Sequence, residues 1–219
     1  MSTNTGHRLG EVIHVGDKNT IERLHANWEH QFTDPDFRYW EFDVNELGDG
    51  TLIVFHDRDF KVNGRKYKLK DLTFVQFRHL VPNAPTFFEV LRKFSTNYRY
   101  MIKYKQENGR SKYYVEDVKP IRIEIKRLLT NVGRDQLLAT VYKFMEITNQ
   151  TFDVEFIAFK SHWKKSFPKS VRTEYKDKFA LHDYHVLNVK KKTKGKMHHV
   201  DLFTGNSIYG DNSIRGQFC

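Results

Sequence analysis

The sequence predicts an α/β fold with a mainly parallel sheet. Short strand-like apolar runs alternate along the chain with segments of helical periodicity, which is the pattern of strands joined by helical crossovers. The chain has 219 residues, of which 39% are hydrophobic, and it contains 18 Phe and 11 Tyr. This length and composition suffice for a buried core without a disulfide or metal staple, so we expect residues 1–219 to form a single domain.

Three strands and one helix are predicted at the start of the chain. Residues 11–15, which include Val12, Ile13 and Val15, predict a short first strand. A helix from an Asn19 cap to about residue 32 follows, with an acidic residue placed to complete a capping box. Strands are then predicted over 39–45 and 52–56, joined by a glycine-rich turn of the kind that closes hairpins.

Two further helix starts and an insertion come next. Thr73 with Gln76 and Thr86 with Glu89 have the spacing of capping boxes, a hydroxyl followed three residues later by Glu or Gln. Residues 98–119 are polar around an Asn-Gly pair, and we predict an inserted hairpin there.

The second half of the chain continues the alternation more weakly. Residues 121–126 alternate between apolar and polar positions, as a strand does. Residues 135–147 have helical periodicity, and 154–159 form another strand. Residues 185–189 and 200–204 are weaker strand candidates.

A pair of carboxylates marks the first candidate site. Glu41 and Asp43 are two residues apart on a predicted strand, so both side chains point to the same face of the sheet. Holding two carboxylates together is costly without a cation. Oxygen ligands alone suit a hard ion, so the pair predicts a site for Mg²⁺ or Ca²⁺.

The hairpin register brings a histidine to this pair. If Gly48-Asp49 is the two-residue turn, Glu41 faces His56 across the hairpin. If Asp49-Gly50 is the turn, Asp43 faces His56 instead. Either register places an imidazole beside the carboxylates.

A third strand carries further charged residues. Glu124 and Lys126 lie on one face of the strand over 121–126, whose other face is formed by three isoleucines. An ordinary half-exposed strand has the same alternation. In a barrel, however, one face points inward, and an acid and a lysine there need a chemical reason.

Taken in order, these features resemble the glycerophosphodiester phosphodiesterase family, within the phosphatidylinositol phospholipase C-like barrels. The resemblance covers residues 11 to 126 and fades beyond them. Its pieces are His14, Asn19-Thr20, Glu41-Phe42-Asp43-Val44, Asp49-Gly50, His56-Asp57, Asp71-Leu72-Thr73, Pro85-Thr86-Phe87-Phe88-Glu89-Val90-Leu91 and Ile123-Glu124-Ile125-Lys126.

The resemblance implies a fold and an activity. The fold would be a TIM-type (β/α)8 barrel, small and incomplete or distorted in its C-terminal half. The activity would be hydrolysis of a glycerophosphodiester-like small phosphodiester, with one bound divalent cation, Mg²⁺ or Ca²⁺.

The resemblance also implies roles for particular residues. Glu41, Asp43 and Glu124 would bind the cation. His14 and His56 would act as general acid and base, and Lys126 would bind the substrate phosphate.

The sequence departs from the family pattern near its start. The family has His-Arg-Gly after its first strand, whereas this chain has His14-Val15-Gly16, and the family glutamate before Asn-Thr is Lys18. A His7-Arg8 pair is also present. We prefer His14 because the strand-like residues 11–13 lead into it.

Charge and cysteine content bound the remaining alternatives. The net charge of +10 attracts phosphates, nucleic acids or anionic membranes, so an inactive barrel that binds nucleic acid or anionic lipid is the alternative function. A nucleic-acid partner is possible but not favoured, because no zinc-finger, ribonucleoprotein or helix-turn-helix pattern is found. The single cysteine and the lack of a long apolar run predict a cytoplasmic protein without a transmembrane segment.

Overall fold

The computed structural model describes residues 4–108, 117–127 and 129–159, and the strand segments 187–193, 196–201 and 214–215. Helices and strands alternate through most of this part of the chain. The helices are α1 (Ile21–Asn27), α2 (His30–Thr33), α3 (Phe74–Leu80), α4 (Phe87–Asn108) and α5 (Asn131–Ile147). The strands are β1 (Trp40–Glu46), β2 (Leu52–Val54), β3 (Asp59–Val62), β4 (Arg65–Lys68), β5 (Ile121–Ile125), β6 (Val154–Phe159), β7 (Leu187–Thr193), β8 (Lys196–Asp201) and β9 (Ile214–Arg215).

One mixed sheet organises these elements. Its strand order is β2-β1-β5-β6-β7-β8-β9, and β3 and β4 form a separate two-stranded sheet. Strands β1, β5, β6 and β7 are parallel to one another, whereas β2, β8 and β9 pair antiparallel with their neighbours. Helix α4 lies between β1 and β5 in the sequence and α5 lies between β5 and β6, as parallel crossovers require.

The two faces of the central strands differ in polarity. On one face, alternate residues of β1 and β5 are apolar and fully buried, among them Trp40, Phe42 and Ile123. This face packs against α4 and α5, with Phe94 of α4 in edge contact with Trp40 at 5.4 Å between ring centroids. The residues between them point to the opposite face and are charged or polar. The strand period of two therefore separates core from candidate site.

The first predicted strand, residues 11–15, is wrong. The chain forms a short 3-10 helix, His7–Leu9, and then an irregular loop. The physical reason is a side chain that takes the place of a strand partner. The Asn27 side-chain oxygen accepts a hydrogen bond from the Ile13 N–H at 2.7 Å, and its amide donates to the Ile13 carbonyl at 2.9 Å.

The predicted helix over 19–32 forms as two shorter helices, α1 and α2. Its N-cap is Thr20, whose hydroxyl accepts a hydrogen bond from the Arg23 N–H. Asn19 has the left-handed φ of 64° and stands outside the helix. Its side chain is therefore free to contact another part of the molecule.

The inserted hairpin predicted over 98–119 is also wrong for the residues of this range that the structure describes. Residues 98–108 continue α4, and 109–116 lie outside the described residues. Phe94, Tyr98 and Met101 are all buried at helical spacing, so packing against the sheet fixes the helix despite the polar composition.

Other local predictions are confirmed. Thr73 and Gln76 form a complete capping box at the start of α3. Thr86 and Glu89 exchange the corresponding bonds at α4, with the Thr86 N–H donating to Glu89 at 2.7 Å. Strands predicted over 121–126 and 154–159 form as β5 and β6. Strands β7 and β8 overlap the two weaker candidates, of which residues 185–186 and 202–204 lie outside the described part.

The β1–β2 hairpin has a different register from either predicted one. Val44 pairs with Val54, and Leu47 pairs with Thr51, whose carbonyl accepts the Leu47 N–H at 2.9 Å. The loop therefore has three residues, the last of which, Gly50, has a left-handed φ of 86°. Continuing this register places Phe42, and neither carboxylate, opposite position 56.

Candidate active site

Two carboxylates project from the polar face of β1. Glu41 and Asp43 alternate with the buried aromatic residues of the same strand, so the pleat turns both away from the apolar core. Only 6% of Glu41 and 1% of Asp43 is exposed. Two acidic groups this deeply buried require compensation from nearby positive charge or hydrogen-bond donors.

The third carboxylate comes from the neighbouring strand. Parallel pairing of β1 with β5 places Glu124 beside Asp43, so both lie on the same face of the sheet. Glu41, Asp43 and Glu124 each offer an oxygen within 4.8 Å of the other two. The predicted convergence of these three side chains is therefore present in the structure.

A lysine is interposed between two of the carboxylates. Lys126 Nζ lies 2.8 Å from Asp43 Oδ1 and 3.0 Å from Glu124 Oε1. Burial opposes the charge of Lys126, but the carboxylates of Asp43 and Glu124 outweigh it and raise its pKa. Lys126 thus lies in the predicted site as a fixed cation.

The surroundings of Glu41 raise the pKa of its carboxyl group. Burial, and next the charge of Asp43, raise the pKa of Glu41 to about 8, against the opposing hydrogen bond from the Arg8 N–H. Burial and the neighbouring Asp43 carboxylate both disfavour the ionised form of Glu41. A cation bound to the cluster would stabilise that ionised form.

The loop before α1 brings His7 and Arg8 to the site, whereas the sequence analysis had preferred His14. The Arg8 N–H donates a hydrogen bond to Glu41 Oε2 at 3.0 Å, and His7 Nε2 lies 3.5 Å from the same oxygen. Arg8 Nε lies 3.6 Å from Asp43 Oδ2, and this buried atom has no hydrogen-bond partner within the described residues. An arginine nitrogen in this state is suited to an anionic ligand.

Asn19 fastens this loop to the carboxylates. Its side-chain amide donates to Asp43 Oδ2 at 2.8 Å, and its backbone N–H donates to the Arg8 carbonyl at 3.0 Å. The left-handed backbone of Asn19, which asparagine tolerates better than most residues, allows both bonds. One residue therefore positions both Arg8 and Asp43.

His7 is held on its far side by a second carboxylate. Its Nδ1 lies 3.0 Å from Glu11 Oε1, and the same oxygen accepts a hydrogen bond from Lys18 Nζ at 3.1 Å. Burial acts to raise the pKa of Glu11, but hydrogen bonds from His7 and Lys18 outweigh it and lower the pKa. Glu11 thus remains an ionised partner for the His7 ring. Lys18, which stands where the family has a glutamate, therefore bonds Glu11 in this chain.

The structure does not bring His14 into the cluster. Its side chain is exposed, its Nδ1 lies 3.5 Å from Arg23 Nη1, and it forms no ion pair with a carboxylate of the described residues. The structure instead brings His7 and Arg8 to the carboxylates. The signal that could have located them is the His-Arg pair itself, with Gly10 close behind.

His56 lies two residues after the end of β2. Its Nδ1 lies 2.6 Å from Asp57 Oδ1, and 40% of its side chain is exposed. The amide of buried Asn45 donates to the carbonyls of Phe55 and His56, which fixes the backbone here beside β1. The predicted contact of His56 with Glu41 or Asp43 through the hairpin is not formed, because the three-residue loop shifts the register.

Together these features define an α/β protein with an oxygen-rich cluster that suits a hard divalent cation. The ligand chemistry fits, because the cluster combines three carboxylates with no sulfur ligand. A family model of the glycerophosphoryl diester phosphodiesterase family matches residues 34–194. The chain belongs to this family. The family has a TIM-barrel fold, and the predicted α/β class is confirmed.

Solved structures similar to the chain are named as phosphodiesterases. A glycerophosphodiester phosphodiesterase from Parabacteroides distasonis is 15% identical, with a TM-score of 0.47, over 84% of this chain and 63% of that one. A phosphodiesterase from Oleispira antarctica, solved with the product sn-glycerol-3-phosphate, is 15% identical, with a TM-score of 0.47, over 80% and 61%. A glycerophosphodiester phosphodiesterase from Thermotoga maritima is 15% identical, with a TM-score of 0.43, over 89% and 87%.

The chain spans less than two thirds of the length of the Parabacteroides and Oleispira proteins. A search of curated proteins gives no significant match. Within the described residues, no helix combines the length and apolar character that crossing a membrane would require.

Proposed function

We propose that this protein is a phosphoric diester hydrolase that cleaves a small glycerophosphodiester. The observation that carries this proposal is the convergence of Glu41, Asp43 and Glu124 with the cationic residues Arg8 and Lys126 and the imidazole of His7. Family membership supports the same reaction class. The product sn-glycerol-3-phosphate bound by the Oleispira protein supports glycerol phosphate as one half of the substrate.

The three carboxylates would hold one divalent cation, Mg²⁺ or Ca²⁺. When bound, such an ion offsets the negative charge that grows on a phosphoryl oxygen in the transition state. The burial of Glu41 and Asp43 supports this role, because two ionised carboxylates without a strong counter-charge are costly at this depth.

Arg8 and Lys126 are proposed to bind the phosphate group. Arg8 Nε is buried beside Asp43 without a hydrogen-bond partner in the described chain, so a phosphate oxygen could satisfy it. Lys126 Nζ bonds two of the carboxylates, and a lysine has three N–H donors, so one more could bond a phosphate oxygen. Both cations would favour the anionic substrate and its transition state.

His7 and His56 are proposed as the acid–base pair. One histidine takes a proton from the attacking water as its oxygen bonds to phosphorus, and the other gives a proton to the leaving oxygen as the bond from that oxygen to phosphorus breaks. His7 replaces His14 in this role because His7 contacts Glu41 while His14 points to solvent near Arg23. Glu11 is the positioning residue that holds His7 Nδ1 and leaves Nε2 toward the site.

Hydrolysis of glycerophosphodiesters and of a chromogenic phosphodiester, with and without a chelator, tests this proposal. We expect turnover that EDTA abolishes and that Mg²⁺ or Ca²⁺ restores. Glu41→Gln should remove turnover, whereas Glu146→Gln on the outside of α5 should leave it unchanged. No cleavage of any glycerophosphodiester by metal-loaded protein would contradict the proposal and favour an inactive binding barrel. The cytoplasmic location expected from the sequence stays a prediction.

A further inference from the structure

The β3–β4 hairpin and its flanks concentrate the basic charge of the chain. Residues 58–70, which we call the basic hairpin, contain six basic residues and one acidic residue, a net charge of +5 out of +10 for the whole chain. All six basic residues are exposed: Arg58, Lys61, Arg65, Lys66, Lys68 and Lys70. A short segment thus carries half of the net charge.

Like charges lie opposite each other on the basic hairpin, and this lowers its stability. Lys61 and Lys66 are directly opposite on the antiparallel ladder, and like charges in this position destabilise a hairpin. Asp59 offsets one of them through an ion pair with Lys66 at 2.9 Å. The basic residues of the hairpin that no acidic residue offsets form a positive surface, which complements an anionic partner.

The opposite face of the basic hairpin is committed to packing. Phe60 stacks on Tyr67 at 5.7 Å and meets Phe77 of α3 edge-on at 5.8 Å. Phe60 anchors the hairpin on a second small core built around Leu69 and Phe77. Phe60 is therefore turned inward, and the Arg65 guanidinium lies over the Tyr67 ring at 5.3 Å, so stacking of nucleic-acid bases on these two rings is disfavoured.

The hairpin is joined to the edge of the candidate active site. The Arg58 guanidinium donates a hydrogen bond to the carbonyl of Lys126, the residue that bonds the carboxylates. Strand β3 begins at the next residue, Asp59. A partner bound to the basic hairpin would thus lie next to the site.

Helix α3, which contacts the hairpin through Phe77, also exposes an apolar residue. Val75 of α3 is 78% exposed, the most exposed of the large hydrophobic residues described. Helix α3 and β4 also border an open groove of about 500 Å³, lined by Arg65, Lys66 and Lys68 on one side and by Gln76 and His79 on the other. A dense basic surface with an exposed aliphatic side chain on the adjoining helix fits a lipid surface better than a nucleic acid.

We propose that the basic hairpin docks the protein on an anionic lipid bilayer. The lysines and arginines would contact acidic headgroups, and Val75 would contact the interface. This binding does not depend on the proposed hydrolase activity, because the hairpin residues lie outside the carboxylate cluster. It would place the site where phosphodiesters derived from membrane lipids arise.

Vesicle co-sedimentation tests the docking surface. We expect binding to phosphatidylcholine vesicles that contain phosphatidylserine, little binding to pure phosphatidylcholine, and weakening as salt rises. Each basic residue near an anionic surface contributes about fivefold in partitioning, so Lys61→Gln/Lys66→Gln/Lys68→Gln should bind roughly 100-fold more weakly. A matched control, Arg92→Gln/Lys93→Gln/Arg99→Gln, removes the same charge from α4 and should bind nearly as well as the unaltered protein.

Three outcomes would overturn the proposal. The first is failure of the unaltered protein to bind acidic vesicles. The second is an equal loss of binding in both triple variants, since this would indicate only general charge attraction. The third is hairpin-dependent binding of a single-stranded oligonucleotide without binding to vesicles.

Repeating the assay with Glu41→Gln separates docking from activity, because that variant should bind vesicles normally. Single substitution of exposed Lys61 provides a milder variant if the triple change alters the melting temperature.

Discussion

His7 Nε2 lies 3.5 Å from Oε2 of Glu41, and its Nδ1 lies 3.0 Å from Oε1 of Glu11. The imidazole therefore stands between a carboxylate of the candidate metal cluster and a carboxylate held by Lys18. The short irregular segment that carries His7 is therefore part of the candidate active site.

Replacing the two candidate histidines near the N-terminus should have opposite effects. His7→Ala removes a proposed acid or base, a role that is typically worth ~10²–10⁴ in rate. We therefore expect kcat to fall by at least ~100-fold for His7→Ala and for His56→Ala. His14→Ala should retain activity close to that of the unaltered protein, because its ring is exposed. Steady-state kinetics with circular dichroism as the fold control decide this; an essential His14 with a dispensable His7 would reverse the assignment.

Glu11 should affect turnover through His7 and not through substrate binding. Removing the carboxylate in Glu11→Ala frees the ring, and we expect kcat to fall by at least ~10-fold while KM changes little. Glu11→Gln keeps an oxygen that can accept the His7 N–H, so it should recover part of the loss. Equal damage from both variants, or a change confined to KM, would argue against a positioning role.

The start of α4 should make folding stability depend on acidity. Burial alone would raise the pKa of Glu89, but hydrogen bonds from the Thr86 N–H and Arg78 outweigh it and lower the pKa. A carboxyl with a lowered folded pKa stabilises the fold above its unfolded pKa of about 4.3 and loses this effect as pH falls through the folded value.

This effect of Glu89 can be measured by urea unfolding. Glu89→Gln should lower stability at neutral pH by no more than about 1 kcal/mol, because solvent screens this partly exposed cap. The difference from the unaltered protein should shrink below pH ~4, where Glu89 becomes protonated in both states. A difference that stays constant from neutral to acidic pH would contradict the assignment.

The periodic parts of the molecule could be predicted from sequence. Alternation correctly placed Glu41 and Asp43 on one face of β1 and Glu124 opposite the isoleucine face of β5, because a strand has only two faces. That the three carboxylates meet was implied by the family resemblance, and the pairing of β1 with β5 brings Glu124 beside Asp43. Capping boxes at Thr73 and Thr86 correctly located α3 and α4, since they depend on local hydrogen bonds.

The irregular parts could not be predicted in the same way. The contact between His7 and Glu41 depends on a loop held by Asn19 and Asn27, and the spacing of loop residues does not encode such long-range bonds. The register of the β1–β2 hairpin depended on a loop one residue longer than assumed.

The basic hairpin was missed although its turn is visible in the sequence. Asn63 and Gly64 both have positive φ, as a tight two-residue hairpin turn requires. Charged residues dominate the flanking strands, and this obscured the alternation of Phe60 and Val62 with exposed positions. The signal was therefore the Asn-Gly pair, not the hydrophobic pattern.

Calorimetric titration of metal-free protein with Mg²⁺ and with Ca²⁺ tests the central claim most directly. We predict one bound cation per chain in the unaltered protein and in Glu146→Gln, a matched change at an exposed carboxylate on α5. In Glu41→Gln the folded protein should bind neither ion measurably, because one of three converging carboxylates is lost. Unchanged affinity for both ions in Glu41→Gln would contradict the assignment of the carboxylate cluster as the metal site.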